Sequence, residues 1–457
     1  MSRLIASAGL SGAVHEAAAA GCAESRMLLS RRAMMGVSVG LFSAAFMPKI
    51  ASAASADPRL LVVVLRGGMD GINVVIPHGD KAYSSMRGAI AIPRSKTLPL
   101  NDDFFGLNTA LPFFGRLFRR NQAAAVHAVC TPLRNRSHFD AQDNLENGLP
   151  GLASNSTGWL NRLLTVMPKG APIRSNGAIQ VGEAPLLLRG PAPVLGWSPT
   201  WFSHPPAPIT DAVVTLLRKR DKELYGALAA GMKADALAEK VSSGENDNVS
   251  TFRKAFRGAG RLLSAKNGPR IAVMSVSNFD THSGQGSTDG FLWNSLHELD
   301  SALREFHDHA GDIWRDTVIV MATEFGRTVR INGDNGTDHG VGTVALLAGG
   351  AVAGGKVLGD WPGLSKRDLF EDSDLRATTD LRAVFKGVLA DHVGVPLTIL
   401  DETIFPESAS VKPMEGLVRG GGGGFVAATS PARGGGSSRA ARRADTPIGR
   451  YRAAYPA

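Results

Sequence analysis

The chain has 457 residues, with a hydrophobic content of 44% and a charged content of 20%, values typical of globular proteins that bury a large core. Its formal net charge of +9 comes from its two ends, since residues 1–56 carry five basic and two acidic side chains and residues 419–457 carry seven arginines and one aspartate. The residues between them are neutral overall, which argues against a nucleic-acid-binding domain and predicts no nucleic-acid partner.

Residues 1–56 have the pattern of a twin-arginine export signal. Arg31 and Arg32 precede a short apolar stretch, and two overlapping AxA cleavage motifs follow at residues 51–56; signals of this kind are removed after export. The apolar stretch is too short for a stable membrane span, and no other stretch approaches that length. We therefore predict the twin-arginine export machinery as a partner, a periplasmic or secreted mature chain, and a start at Met1 or Met27.

Apolar runs typical of buried β-strands recur through residues 57–418, with helical patterns between several of them. Continuous apolar strands that alternate with helices are typical of sheets covered on both faces, so the pattern predicts an α/β fold with a doubly wound, mostly parallel sheet. The strand-like runs are Leu60–Leu65, Ala123–Val129, Ile271–Val276, Thr317–Thr323 and Thr343–Leu347, and the clearest helical patterns are Phe291–His309 and Leu381–His392.

Two segments depart from this alternation. Residues from about 207 to 263 are rich in helical patterns, which predicts a helical insertion or cap over the sheet. Residues 419–457 contain runs of glycine and scattered arginines, a composition that predicts a disordered tail.

The first strand ends in RGGMDG, which places Asp70 among small residues. These glycines lack the GxGxxG spacing of a dinucleotide loop, and an acid there would repel a pyrophosphate group. Open α/β sheets bind ligands beyond the carboxyl ends of their strands, so Asp70 is a candidate cation ligand. The alternative is that its carboxylate caps the following helix or turn.

A second candidate motif, NFDTHS, follows the third strand and contains Asp280 and His282. A carboxylate and an imidazole two residues apart can bind one Zn²⁺ or Mn²⁺ ion. The alternative is a hydrogen-bonded Asp–His pair that stabilises the loop.

A third group of candidate ligands surrounds the fourth and fifth strands. Glu324 ends the fourth strand, and Asp338 and His339 precede the fifth. A buried acid at a strand end needs either a metal or a partner such as Arg327. A structural Glu324–Arg327 ion pair and a turn cap at Asp338 are therefore the alternatives to metal binding.

The sequence RNRSHFD places Ser137 at the start of a predicted helix, where backbone N–H groups and the helix dipole favour an anion. Near a metal, the Ser137 hydroxyl could attack phosphorus or sulfur, while Arg136 or Arg327 neutralises the anionic oxygens. The alternative is a simple N-cap, with Asp140 in the capping-box position. Because several separate strand ends carry residues of metal-ligand type, we favour one convergent metal site over unrelated local caps.

The motifs RGGMDG, RSHFDAQD, FDTHS, TEFGRT and TDHGVGT occur in this order after the twin-arginine leader. In these motifs the chain, from roughly Leu60 to Phe405, resembles the bacterial exported family of the domain of unknown function number 1501. That family is similar to the alkaline phosphatase and sulfatase superfamily. The resemblance implies an alkaline phosphatase-like α/β domain with one or two metal ions and a Ser, Thr or modified Cys nucleophile.

By chain order, the resemblance implies roles for individual residues of this chain. Asp70 matches the metal-binding aspartate after the first strand, and Ser137 matches the nucleophile at the start of a helix. Asp280 and His282 match the Asp and His of one metal site, with a shorter spacing, and His339 matches the final histidine ligand.

The TEFGR motif departs from the superfamily pattern. Glu324 falls where the superfamily has an Asp–His pair, and Phe325 stands in place of the imidazole. One metal position is therefore weakened, altered or lost, unless His138 folds inward and substitutes for the missing ligand.

These observations predict an exported metal-dependent hydrolase of phosphate or sulfate esters, in which a serine attacks the metal-bound ester. A mixed set of carboxylates and imidazoles favours one or two Zn²⁺ or Mn²⁺ ions, whereas Ca²⁺ or Mg²⁺ would suit an all-oxygen site. The alternative is a catalytically inactive envelope protein on the same fold, which binds an anionic glycan or a protein partner.

Overall fold

The computed structural model describes residues 57–152, 157–167, 177–183, 185–199, 206–222, scattered residues between 224 and 236, and residues 249–419. The twin-arginine signal region and all but the first residue of the Gly/Arg-rich tail lie outside these residues, so their predicted properties stay predictions. None of the described helices combines the length and the apolar character that a membrane span requires.

The described strands form one large sheet and two small ones. They are β1 (Arg59–Leu65), β2 (Val75–Pro77), β3 (Leu98–Pro99), β4 (Phe105–Leu107), β5 (Ala123–Cys130), β6 (Ala178–Val181), β7 (Leu195–Trp197), β8 (Ile271–Val276), β9 (Thr317–Ala322), β10 (Gly326–Arg327), β11 (His339–Gly340), β12 (Thr343–Ala348), β13 (Val357–Leu358) and β14 (Thr379–Asp380). The large sheet has nine strands in the order β13-β5-β12-β9-β1-β8-β6-β7, with β14 also paired to β5.

Helices lie on both faces of the large sheet. Those described are α1 (Gly71–Val74), α2 (Tyr83–Arg87), α3 (Pro112–Arg119), α4 (His138–Asn147), α5 (Trp159–Val166), α6 (Ala207–Arg220), α7 (Thr251–Ser264), α8 (Phe291–Ala310), α9 (Leu381–Val388) and α10 (Leu397–Ile399). The five predicted strands and the two clearest helical patterns are confirmed, with boundaries that differ by a residue or two except where α9 continues into a π-helical turn.

The central strand β1 shows why a continuous apolar run predicted a doubly covered sheet. Its side chains alternate between two apolar clusters: Leu61, Val63 and Leu65 face one, and Leu60, Val62 and Val64 face the other. Because both faces are buried, both must be apolar. Parallel strands β8 and β9 flank β1 on its two edges, so this strand lies at the centre of the core.

The sheet is mixed, because β12 runs antiparallel to its neighbours β9 and β5, whereas the other pairings of the large sheet are parallel. In the register of this pairing Ala348 lies beside Ile319 and Leu346 beside Met321. The start of β12 therefore lies at the edge where β9 ends. Residues that precede β12 consequently reach the same edge as residues that follow β1, β8 and β9.

The predicted helical insertion, about residues 207–263, includes α6 and most of α7. Helix α6 has no buried residue, which agrees with a segment outside the core. Helix α7, by contrast, buries Phe256, Leu262 and Leu263 in the cluster that covers one face of the sheet. Its one-sided apolar pattern assigns α7 to the helical layer that covers the sheet. The predicted insertion at about residues 207–263 stays a prediction.

We expect buried His127 on β5 to make the fold sensitive to moderate acid. Its Nδ1 accepts from Ala128 N–H and its Nε2 bonds to Val75 O at 2.9 Å, which is the pattern of a neutral ring, and burial lowers its pKa to about 4. The unfolded chain takes up this proton near pH 6.5 and the native chain does so only near pH 4. As the pH is lowered from about 6.5 to about 4, the free energy of unfolding should therefore decrease, by at most about 1.4 kcal/mol per pH unit.

The measurement is urea unfolding at several pH values, compared with the non-titrating variant His127→Gln. The stability difference between the two proteins should shrink or reverse as the pH falls from 6.5 towards 4. Parallel pH profiles would show that His127 does not carry this dependence.

Candidate metal centre

The loops at the carboxyl edge of the sheet come into close contact around Gly67 and Gly68. Both glycines have positive φ values, and a Cβ at Gly67 would collide with the backbone nitrogen of Asp280, while one at Gly68 would collide with the ring of Phe325. Only residues without a side chain permit this approach. The glycines of RGGMDG therefore serve to bring the loop after β1 against the loops after β8 and β9.

The two-residue ladder of β10 and β11 positions His339. Arg327 on β10 pairs with His339 on β11, and Thr328 N–H donates to Asp338 O at 2.9 Å beside it. This pairing holds the segment before β12 against the segment after β9. The antiparallel direction of β12 makes the pairing possible.

Three imidazoles surround the carboxylate of Asp280. The Nε2 atoms of His282 and His339 lie 3.1 and 3.5 Å from its Oδ1, and the Nε2 of His138 lies 3.5 Å from its Oδ2. The Nε2 atoms of His282 and His339 are 2.9 Å apart. Among the described residues, His138, Asp280 and His339 form a group whose ligand atoms all lie within 4.8 Å of one another.

The Nδ1 atom of each imidazole contacts a carboxylate or carbonyl oxygen. These oxygens accept hydrogen bonds and, in an ionised carboxylate or a carbonyl, have no proton to donate. His138 Nδ1 contacts Glu324 Oε1 at 2.8 Å, and His282 Nδ1 contacts Asp338 Oδ1 at 3.3 Å. His339 Nδ1 contacts the carbonyl oxygen of Arg136 at 2.9 Å. In the neutral rings Nδ1 therefore carries the proton, and all three Nε2 lone pairs point towards Asp280. Histidines that bind metals have this outer arrangement.

The charges around the centre keep Asp280 ionised. Burial would raise the pKa of Asp280, but the Arg327 guanidinium, through its hydrogen bond and charge, and the nearby histidines lower it below its ordinary value. The hydrogen bond that His138 donates to Glu324 raises the pKa of His138, against the effect of burial. Burial and the charge of Arg327 lower the pKa of His339. Both effects favour the neutral ring of His339, which is the form in which an imidazole binds a metal.

Glu324 lies behind the histidines. Its Oε1 accepts from Gly67 N–H at 2.8 Å, from His138 Nδ1 at 2.8 Å and from Gln142 Nε2 at 2.9 Å, and its Oε2 accepts from the Thr323 hydroxyl. It is fully buried, and although burial raises the pKa of Glu324, these hydrogen bonds lower it overall. This arrangement does not support the predicted metal-ligand role. Glu324 orients His138 instead.

Asp70 contacts Arg87 and Gln285 and none of the three imidazoles. These contacts do not support its predicted role as a metal ligand. Its carboxylate forms an ion pair with Arg87, and both side chains are completely buried. Gln285 Nε2 donates to the same oxygen of Asp70 at 2.6 Å. The prediction missed this partner because the buried Arg87 comes from α2, which has no strand-end signal.

Arg327 is in contact with Asp280, not with Glu324, so the alternative of a Glu324–Arg327 ion pair is wrong. Its guanidinium is fully buried and also donates to Gly67 O at 2.6 Å, Gly68 O at 2.8 Å and Thr337 O at 3.0 Å. It therefore contacts the centre through Asp280, and the proposed contact of Arg327 with an ester oxygen is not supported.

Arg136 and Ser137 lie beside the centre. The Arg136 guanidinium bonds to Glu371 and Asp374 at 2.8 and 2.7 Å, so its charge is already neutralised. Ser137 is the N-cap of α4, as the alternative predicted, although its hydroxyl oxygen lies 3.5 Å from Asp140 N. That distance is at the limit of a hydrogen bond.

His138 is the functional residue that the sequence identified only conditionally. It begins α4 and turns inward, with its ring 4.3 Å from that of His339 and 4.8 Å from that of Phe325. The ring of Phe325 thus packs against the imidazole of His138. His138 is part of the RSHFD motif, so the sequence contained this candidate ligand. A helix start alone does not show which side chain turns inward.

The fold and this centre define a mixed α/β protein with an imidazole-rich candidate metal site at the carboxyl edge of its sheet. The chain belongs to the family described as "Protein of unknown function (DUF1501)", whose model matches residues 131–404. No curated protein sequence matches the chain.

Several solved structures are similar in fold at low sequence identity. The lipoteichoic acid synthase LtaP from Listeria monocytogenes is 11% identical over 79% of this chain and 77% of its own, with a TM-score of 0.35. The phosphonate monoester hydrolase of Agrobacterium radiobacter is 11% identical over 74% of each chain, with a TM-score of 0.32. The C-terminal periplasmic domain of EcEptC from Escherichia coli, in complex with Zn, is 11% identical over 65% of this chain and 74% of its own, with a TM-score of 0.31.

We expect the Asp70–Arg87 pair to affect stability and not metal binding. Replacing one partner, as in Asp70→Leu or Arg87→Met, leaves the other charge buried and unpaired and should lower the free energy of unfolding by about 3–5 kcal/mol. The double variant removes both charges and should regain most of that loss. Denaturant unfolding of the four proteins measures this coupling, and additive losses in the double variant would contradict it.

Proposed function

We propose that this protein is an exported, metal-dependent hydrolase of phosphate or sulfate esters. The convergence of the three Nε2 lone pairs on the Asp280 carboxylate is the observation that carries the proposal. Lone pairs that face one another across 2.9 Å repel each other unless a proton or a metal ion lies between them. Three imidazoles and one carboxylate form a ligand set suited to Zn²⁺ or a related ion.

Two features of the residues fit such an ion. Ligand atoms bound to one tetrahedral Zn²⁺ lie about 3.3 Å apart. The contacts of Asp280 with the three imidazoles, and the contact between His282 and His339, run from 2.9 to 3.5 Å, and the ligand atoms of His138, Asp280 and His339 all lie within 4.8 Å of one another. The Nε2 atom of His138 is buried without a hydrogen-bond partner, which is costly unless a cation or solvent satisfies it. The ligands we propose are therefore His138, His339 and Asp280, with His282 beside them as a further candidate and one position left open for the substrate. Zn²⁺ is preferred over Mn²⁺ and both over Ca²⁺ or Mg²⁺.

The ligands are accessible to a substrate. The side chains of Asp280 and His282 are each 45% exposed, and those of His138 and His339 are about one quarter exposed. A bound ion supplies Lewis-acid chemistry there, which favours an anionic ester and stabilises negative charge on its oxygens. An anionic ester or glycan ester is therefore the substrate class that we propose.

Ser137 is the proposed nucleophile because its two neighbours are both attached to the centre. The carbonyl of Arg136 accepts from His339, and His138 is itself a proposed ligand. The weak cap contact of the Ser137 hydroxyl leaves it free to rotate. Its Oγ would form a bond to phosphorus or sulfur while the alcohol leaves with the serine proton. Water then hydrolyses the seryl ester and releases phosphate or sulfate.

We expect Asp280→Asn and His138→Gln to lose bound metal and hydrolysis together, because each removes or weakens a ligand. Glu324→Gln should lower metal affinity by about 10–100-fold, as for outer partners of metal-binding histidines. Ser137→Ala should keep the metal and lose turnover of aryl phosphate and aryl sulfate. Metal analysis and a chromogenic ester assay measure these effects.

The matched controls are His297→Gln and Asp308→Asn, which change the same residue types on α8, away from the centre, and should behave as the wild type. Wild-type protein that binds metal and hydrolyses neither ester would contradict the hydrolase and favour the inactive binding protein. Metal-free folded protein would contradict the metal centre.

We also propose that residues 1–56 direct export by the twin-arginine route. Arg31→Lys combined with Arg32→Lys keeps the positive charge but removes the pair, so the chain should stay uncleaved in the cytoplasm. Cell fractionation and the size of the mature protein measure this, with Lys49→Arg as the control, since Lys49 follows both candidate starts. A double variant that is exported and cleaved as the wild type is would contradict the proposed route.

A further inference from the structure

We propose that the centre binds a single transition-metal ion, because Arg87 already neutralises Asp70 and Arg327 already contacts Asp280, which leaves neither acid free to bind a second cation. This inference rests on the proposed function, since it concerns the metal content of the same site. It narrows the expectation of one or two ions to one, and its basis is the state of Asp70 and Glu324, the carboxylates that follow β1 and β9.

Asp70, the acid that follows β1, is not free to bind a cation. Its Oδ2 accepts from Arg87 and from Gln285, and the Asp70 and Arg87 side chains are wholly buried. Its Oδ1 is buried with no hydrogen-bond partner, so one oxygen remains available. One oxygen beside a guanidinium and an amide NH₂ group, which are both donors, cannot hold an ion that needs several ligands.

Glu324, the acid that follows β9, is likewise committed. It accepts from Gly67, Gln142, His138 and Thr323, which is about the number of hydrogen bonds that a carboxylate accepts. A metal bound to it would displace the contact that orients His138. The two carboxylates most suited to a second ion are thus both engaged by donors.

Arg327 introduces a permanent positive charge beside Asp280. Its guanidinium contacts Asp280 and is held by the carbonyls of Gly67 and Gly68. Guanidinium groups do not lose their proton in proteins, and the burial of this one is complete. A second dication near Asp280 would be repelled by this charge at short range and low dielectric.

The ligand groups that remain are Asp280 and the imidazoles, of which His138, Asp280 and His339 have ligand atoms within 4.8 Å of one another. Three protein ligands with one position open for water or substrate make one catalytic tetrahedral site. The single negative charge of Asp280 is shared with Arg327, so the ion is held mainly by neutral nitrogen atoms. Such a ligand set selects Zn²⁺, Co²⁺ or Ni²⁺ over Mg²⁺ and Ca²⁺, which require several oxygens.

The test is metal stoichiometry on the mature protein, stripped with a chelator and titrated separately with Zn²⁺, Co²⁺, Mg²⁺ and Ca²⁺. We expect one equivalent of Zn²⁺ or Co²⁺ per chain by elemental analysis, with a Co²⁺ absorption spectrum that saturates at the same equivalent, and no binding of Mg²⁺ or Ca²⁺. Two equivalents would overturn this inference and leave the proposed function standing. No binding of any of these ions would overturn the proposed function as well.

A second measurement uses the Asp70→Leu/Arg87→Met double variant, which removes a buried pair without touching the proposed ligands. Its Co²⁺ stoichiometry and affinity should equal those of the wild type. A loss of one equivalent, or a tenfold weaker affinity in a variant that unfolds as cooperatively as the wild type, would show that Asp70 is a ligand. The wild-type stoichiometry alone decides the question if this variant does not fold.

Discussion

The repulsion among three imidazole lone pairs and one carboxylate is the constraint on which this site depends. Oxygen acceptors behind His138, His282 and His339 direct each Nδ1 proton outwards. The Nε2 atoms are then left facing Asp280, at distances where they compete for one positive charge. An arrangement of this kind persists only if the surrounding fold holds every member in place.

The fold does so by bringing four separate segments to one edge of the sheet. Parallel strands β1, β8 and β9 end there, and β12 begins there because it runs in the opposite direction. The short ladder of β10 and β11 then ties His339 to Arg327. The glycine pair after β1 permits the loops to approach closely enough for Glu324 to accept from Gly67 while it orients His138.

Two buried arginines decide which acids remain available. Arg87 neutralises Asp70, and Arg327 stabilises the ionised form of Asp280 while it holds the glycine loop. A buried ion pair adds little net stability because of desolvation, yet it is costly to break. These arginines therefore matter more for the specificity of the arrangement than for the stability of the fold.

Much of the architecture was predictable from the sequence. The apolar runs predicted the strands, because a strand buried on both faces needs apolar residues at every position. The strand-end rule predicted that Asp280, His282, Asp338 and His339 would lie together, and the structure brings them together. The short strands β6 and β7 at the far edge were missed, because runs of three or four residues carry little pattern.

The roles of single acids were not predictable in this way. Asp70 and Glu324 have the same sequence signal as Asp280, a carboxylate after a buried strand, but each is occupied by donors from distant segments, such as Arg87 and Gln142. His138 was recognised only as a possible substitute, because a helix start does not reveal which side chain turns inward.

The sequence by itself determined which segments become strands, the edge of the sheet at which polar residues gather, and the family to which the chain belongs. These properties follow from local composition, periodicity and motif order. Only the tertiary structure decided which carboxylate faces the imidazoles and which is neutralised by a buried guanidinium. Charge pairing in a low-dielectric interior depends on atoms a few ångströms apart in space, and their separation along the chain does not encode that distance.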